Sequence, residues 1–204
     1  MQLRLESKLS LEQYLSQEAW RTATLACCPL HPNFACGFGR HGTYLRKYPA
    51  PAPVARFYCG MGHTTFSLLP DFFACRLPGT LAELEEVAVV VAAASSLEGA
   101  ADQLRPHDAD NAVTLDAAKR WTRRRVALFS CVLVAVVGLF VDRLLGVRTA
   151  LDLRERLGTP ALLALREIAS RNLHALPRPL GFQPSPRCRV SRPKPRQHKL
   201  GPDP

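Results

Sequence analysis

The sequence predicts an α+β protein, in which a small N-terminal β module precedes a mostly α-helical domain and a disordered basic tail. Three observations support this prediction. Apolar and polar residues alternate in short segments before residue 70, as is typical of strands. From Gly79 onward, apolar residues recur at helical spacing, and from Pro177 onward proline and basic residues dominate. The predicted parts are an N-terminal helix (1–24), the β module (25–78), the helical domain (79–176) and the tail (177–204).

The charge balance favours a partner that carries phosphate groups. The 204 residues include 27 Lys and Arg against 17 Asp and Glu, which gives a formal net charge of +10. Such an excess suits nucleic acid or anionic lipid headgroups. The hydrophobic fraction of 47% argues against disorder throughout the chain.

The cysteines do not resemble a secreted disulfide framework. There are seven, an odd count, and Cys27, Cys28, Cys36 and Cys59 fall early, among several histidines. Residues 1–20 carry charges throughout and contain no apolar segment of the kind found in secretory signals. We therefore expect reduced thiols and a cytoplasmic location.

The first predicted element is a short amphipathic helix over residues 8–22. Ser10 can cap it, and Leu11, Tyr14, Leu15 and Trp20 recur at roughly helical spacing. We expect this helix to pack against the β module.

Two short Cys/His pairs make the β module a candidate zinc site. Cys28 and His31 form a Cys-x2-His pair, and Cys59 and His63 form a Cys-x3-His pair. Zinc takes four such ligands in a tetrahedron, and two pairs on separate turns supply them with little strain. Two substitutions stay open: Cys36 for His31, and Cys27 for Cys28. In the alternative interpretation, the cysteines are small buried residues and the histidines are ordinary loop residues.

Three strands are predicted around these pairs. Residues 42–46 and 54–58 alternate like two strands joined by the Pro-rich loop 49–53, and residues 64–69 form a third. A sheet this small buries too little apolar surface to be stable alone, so a metal ion would stabilise it. The fold is thus a zinc-ribbon-like module followed by helices.

Several motifs resemble a known family. CPLHP, CGFGRHGTY and ARFYC-x3-H-TTFSLLPD are similar to the zinc-ribbon-like N-terminal domain of a bacterial family associated with insertion sequences and transposases. In related ribbons the second knuckle reads Cys-x2-Cys-Gly-x-Thr-Phe-Ser. Gly62 and His63 stand where the last Cys-Gly would, so the resemblance implies His63 as the final ligand. The resemblance covers residues 28–86 and implies DNA-related work in a mobile element.

The helical domain opens with three predicted helices. Thr80 caps the first and Glu83 completes its capping box, residues 96–104 form the second, and Thr114 caps the third after the polar loop 106–113. The succession over 80–126 resembles a helix-turn-helix, whose third helix would lie on DNA. The predicted phosphate contacts are Lys119, Arg120, Arg123, Arg124 and Arg125, together with Arg40, Arg46 and Lys47 of the β module. The alternative is a solvated basic helix face.

An apolar run follows directly. Residues 126–141 hold no charge, and Asp142 and Arg143 end the run. Its length is short of the roughly 20 residues that a membrane span needs. We therefore expect a core helix over 126–147, with a homodimer interface as one use of it. A single-pass inner-membrane protein with cytoplasmic basic segments is the alternative.

No catalytic motif emerges from the sequence. The acids after residue 70 sit on predicted helix faces or in one loop, and no Walker loop, Gly-x-Ser-x-Gly or His-Glu-x-x-His occurs. The sequence therefore predicts a non-catalytic, zinc-binding and DNA-binding accessory protein, or a detached N-terminal region of a transposase. A zinc-dependent protein-interaction module is a further alternative. No small-molecule substrate is expected.

Overall fold

A computed structural model of the chain describes residues 1–33, 35–106 and 113–182. It has the predicted mixed α+β architecture, with a small sheet followed by helices. The sheet consists of β1 (Gln2–Leu5), β2 (Gly39–Arg46), β3 (Ala52–Cys59) and β4 (Thr64–Pro70), in the spatial order β1-β4-β3-β2. β2, β3 and β4 form an antiparallel meander, which confirms the three predicted strands.

The N-terminal segment differs from the single predicted helix over 8–22. Strand β1 pairs in parallel with β4, and two short helices follow it, α1 (Leu11–Ser16) and α2 (Ala19–Thr22). Glu18 separates the helices because its backbone is left-handed, with φ of 47°. The predicted Ser10 cap is confirmed as part of a capping box. Tyr14 is fully buried and donates a hydrogen bond of 2.9 Å to the carbonyl of Pro53, so α1 packs on the sheet as expected.

The remaining described elements are helical. They are α3 (Leu81–Ala93), α4 (Leu97–Leu104), α5 (Leu115–Leu139), α6 (Val141–Leu144), α7 (Ala150–Leu157), α8 (Ala161–Ile168) and a 3₁₀ turn at Ser170–Asn172. The predicted caps Thr80 and Thr114 are confirmed, and Ser96 caps α4. Each of these side chains accepts a backbone N–H of its own helix. Residues 107–112 of the predicted loop 106–113 lie outside the described part of the chain.

The basic segment and the apolar run belong to one helix, so no boundary exists at residue 126. No glycine or proline interrupts the chain between Leu115 and Val137, and α5 therefore continues for 25 residues. Its apolar half buries Phe129, Val132, Leu133 and Val136 in the largest core cluster. Within residues 1–33, 35–106 and 113–182, no helix has both the length and the apolar character needed to cross a membrane.

Residues 177–182, which were predicted to begin the disordered tail, belong to the folded part of the chain. Residues 177–182 pack against the core: Leu180 is fully buried, and the carbonyl of Pro179 accepts the N–H of Cys75 at 2.8 Å. The apolar side chains of Leu180 and Phe182 explain this ordering, because both join buried clusters. Residues 183–204 lie outside the described part of the chain.

A buried arginine joins the sheet, α8 and the C-terminal segment. Arg166 is fully buried, and burial lowers the pKa of its guanidinium to about 10. The guanidinium donates to four backbone carbonyls at 2.6–3.0 Å, those of Asp71, Phe73, Pro179 and Leu180. A second buried charge acts similarly, since Glu85 on α3 accepts from Arg154 on α7 and from the Leu162 N–H of α8.

Replacement of Arg166 is expected to destabilise the whole chain. Arg166→Met should lower the free energy of unfolding by about 3 kcal/mol or more, because four buried carbonyl oxygens each lose a donor, although that of Pro179 keeps the Cys75 N–H. Urea denaturation followed by circular dichroism measures this change. Arg171→Met, at an exposed arginine five residues away, is the control. Equal stability of the two variants would contradict a joining role for Arg166.

Candidate metal centre

Four Cys and His side chains converge at the end of β3. Each offers one ligand atom, and all four atoms lie within 4.8 Å of one another. The four residues are Cys28, His31, Cys36 and Cys59. The three cysteines are buried and His31 is half-buried.

The spacing of these atoms suits a tetrahedral zinc ion. His31 Nδ1 lies 3.3 Å from Cys59 Sγ and 3.7 Å from Cys28 Sγ. Zn–S bonds of about 2.3 Å and Zn–N bonds of about 2.0–2.1 Å place neighbouring tetrahedral ligands roughly 3.5 Å apart. Three thiolates and one imidazole are also a ligand set that zinc commonly takes. The residues present therefore fit this metal.

The ligands come from three segments, and a backbone hydrogen bond joins two of them. Cys28 and His31 share a tight turn, in which the His31 N–H donates to the Cys28 carbonyl at 3.2 Å. Cys59 is the last residue of β3, and its sulfur accepts the Gly62 N–H at 3.2 Å. The Met61 N–H donates to the Cys36 carbonyl at 3.1 Å, which fixes the loop before β2 against the β3–β4 turn.

Gly62 keeps space open beside the ligands. A Cβ atom at this position would lie only 2.8 Å from the Leu30 side chain, so that side chain would have to move, and 3.4 Å from Cys59 Sγ. The absence of a side chain thus lets the backbone approach the cluster and donate to sulfur.

The thiols differ in acidity although they are neighbours. Burial opposes ionisation of Cys28, but hydrogen bonds from the Leu30 and His31 backbone and from the other two thiols lower its pKa to about 7. Burial, reinforced by the neighbouring sulfurs, raises the pKa of Cys36 to about 11. Several thiolates this close repel one another, and a divalent cation would offset that repulsion.

The group differs from the predicted ligand set at one position. Cys28, His31 and Cys59 come together as predicted, but His63 is exposed, and its Nδ1 lies 3.0 Å from the Tyr58 hydroxyl. His63 has a left-handed backbone, with φ of 43°, and does not belong to the group. Cys36, predicted only as a substitute for His31, is the fourth member. Cys27, the other substitute, is exposed and lies outside the group.

Of the eight residues predicted to contact DNA, three donate hydrogen bonds from their guanidinium groups to backbone carbonyls of the protein itself. Arg40 donates to the carbonyls of Trp20 and Ala23. Arg46 donates to the carbonyls of Ala74, Leu77 and Gly79 and lies 4.3 Å from the Phe73 ring centroid. Arg125 is buried and donates to the carbonyl of Pro78 at 3.1 Å. These intramolecular contacts account for an arginine at each of the three positions, whether or not nucleic acid binds.

Of the other five residues, four are exposed and Lys119 is half-buried. Lys47 is exposed, and Lys119 pairs with Glu98 at 3.6 Å. Arg120, Arg123 and Arg124 are exposed on one face of α5, where residues three and four positions apart are neighbours.

Comparisons with known proteins identify no relative. No protein-family model, no curated protein and no solved structure matches the chain. The resemblance to the transposase-associated family therefore rests on the motifs of residues 28–86 alone.

Zinc affinity is expected to rise with pH. The high pKa of Cys36 means that its proton must leave when the metal binds between about pH 7 and pH 9. Release of one proton strengthens the apparent affinity about tenfold for each pH unit, and protonation weakens it as pH falls. Competition with a chromophoric chelator across this range measures the slope. An affinity that is independent of pH would contradict the assignment of Cys36 as a ligand.

Proposed function

We propose that the chain is a non-catalytic zinc-binding protein, in which one ion stabilises the N-terminal module. The observation that carries this proposal is the convergence of Cys28, His31, Cys36 and Cys59 at distances suited to zinc. Four protein ligands fill a tetrahedral shell and leave no position for a substrate, as in structural zinc sites.

The packing around the ligands supports a structural role. The three cysteine ligands belong to a small buried cluster that also contains Phe57, Phe66 and Leu68. Bonds to one ion would join the Cys28–His31 turn, the Cys36 loop and the end of β3. These links add stability that a module with so few core side chains needs.

A second proposal is binding to DNA through the outer face of α5. Arg120, Arg123 and Arg124 are exposed there and, within residues 1–33, 35–106 and 113–182, no salt bridge engages them. Guanidinium groups at this spacing suit successive phosphates, and the net charge of +10 favours the approach of a polyanion. Such binding fits the accessory role in a mobile element that the resemblance of residues 28–86 implies.

Replacement of single ligands tests the zinc site and separates the two ligand sets. The wild-type chain should bind about one zinc ion. Cys36→Ala and Cys59→Ala should each weaken zinc binding at least about a hundredfold, because a lost ligand costs more than a lost outer contact. His63→Ala should bind as the wild type does. Competition with a chelator gives the affinities, and elemental analysis gives the zinc content.

Cys131→Ala is the matched control, since this thiol is exposed on α5 and far from the ligands in sequence. Loss of zinc in His63→Ala with retention in Cys36→Ala would restore the ligand set predicted from spacing alone. A wild-type chain without affinity for zinc would refute the proposal.

The DNA proposal predicts a change in salt dependence. Replacing Arg120, Arg123 and Arg124 by glutamine should make the slope of log affinity against log salt less negative by about 2 to 3, because each lost phosphate contact contributes about 0.9. Fluorescence anisotropy with a duplex oligonucleotide at several salt concentrations measures the slope.

Replacing Arg143, Arg148 and Arg171 by glutamine removes the same charge from other exposed positions and is the control. Equal slopes for the two triple variants would show that net charge alone attracts DNA. A wild-type chain without affinity for DNA would favour the protein-interaction alternative.

A further inference from the structure

A half-open cavity lies between α4, α5 and the segment that leads into α3. Its volume is about 490 Å³, within the range of small-ligand sites. Most of the lining is apolar or aromatic, and the side chains that shape it are Tyr48, Pro78, Leu104, Ala118 and Trp121.

Three residues that line this cavity carry a buried polar atom without a hydrogen-bond partner among the described residues, and one of these atoms, Arg105 Nε, forms an ion pair with Asp102. The Thr122 side chain is fully buried, and its hydroxyl has no hydrogen-bond partner among the described residues. Arg125 is only 5% exposed, and its Nη1 is likewise unpartnered in the described part of the chain. The two residues are three positions apart on α5 and so face the same side. Buried donors without acceptors cost free energy, which a bound acceptor would recover.

The charges around the cavity favour an anion. Arg125 Nη2 donates to the Pro78 carbonyl, and the guanidinium lies 4.4 Å from the Trp121 ring centroid. Nη1 has no acceptor among the described residues and can donate to a ligand. Of the nearby acids, Glu83 already caps α3 by accepting from the Thr80 N–H and hydroxyl. Asp102 pairs with Arg105 at 2.7 Å. None of the described residues that line the cavity is acidic.

We propose that this cavity binds a small monocarboxylate with an apolar body, whose carboxylate accepts from Arg125 Nη1 and the Thr122 hydroxyl. A carboxylate matches a guanidinium, and its single charge costs less to desolvate here than that of a phosphate dianion. The aromatic or aliphatic body would lie against Trp121 and Tyr48. Because the indole covers the guanidinium, a ligand that reaches Nη1 must turn the Trp121 ring.

The test uses the full chain carrying Trp20→Phe, which leaves Trp121 as the sole tryptophan. The probes are 4-phenylbutyrate, its neutral amide and inorganic phosphate, titrated by calorimetry and by fluorescence. We expect 4-phenylbutyrate to bind with Kd below about 1 mM and to change the fluorescence of Trp121. The amide and phosphate should bind at least about tenfold more weakly.

Thr122→Val is the decisive variant. Because it replaces an unpartnered hydroxyl by a methyl of the same shape, stability should stay the same or rise. Affinity for 4-phenylbutyrate should nevertheless fall about tenfold. Arg125→Met should abolish binding, whereas Arg124→Met, at the exposed neighbour, should not change it.

Three results would overturn the proposal: no binding of 4-phenylbutyrate up to about 10 mM, equal affinity for acid and amide, or unchanged affinity in Thr122→Val. None of these variants alters a metal ligand, so their outcome is independent of the zinc proposal.

Discussion

The hydrogen bonds of the Arg166 guanidinium hold the two halves of the protein together. On one side the guanidinium donates to the backbone just after β4, at Asp71 and Phe73. On the other side it donates to the C-terminal segment, at Pro179 and Leu180. A guanidinium can serve four carbonyl oxygens in one plane, which no apolar residue could do. The Cys75 N–H adds a direct bond to Pro179, so the sheet and the helical domain share one buried polar joint.

The candidate metal ligands Cys28, Cys36 and Cys59 belong to a buried cluster that is separate from the largest core. This cluster is small, and three of its eight buried members are cysteines. Buried thiols are adequate core residues while protonated, but the low pKa of Cys28 places one of them close to ionisation at neutral pH. A bound cation would resolve this conflict, because it converts the repulsion between thiolates into coordinate bonds.

Local patterns predicted much of the fold. Alternation located three strands, and the capping residues Thr80 and Thr114 located two helix starts, because both signals depend on neighbours in sequence. Features that depend on distant contacts were either missed, as was β1, or left as an alternative, as was Cys36. Strand β1 exists through its pairing with β4, and Cys36 joins the ligands because the Met61 N–H holds its loop. The one sequence signal for this turn was a cysteine followed by a glycine, Gly37, whose backbone adopts a positive φ of 65°.

The basic residues show why charge alone is a weak guide to function. Arg40, Arg46 and Arg125 satisfy backbone carbonyls, so part of the positive charge is structural. On α5 the two uses separate by face: Arg120, Arg123 and Arg124 are exposed, whereas Thr122 and Arg125 are buried on the opposite side. At 100° per residue, positions 120, 123 and 124 fall within one arc and positions 122 and 125 within another. The periodicity that buries one face of the helix therefore separates the residues proposed to contact DNA from those proposed to bind a small carboxylate.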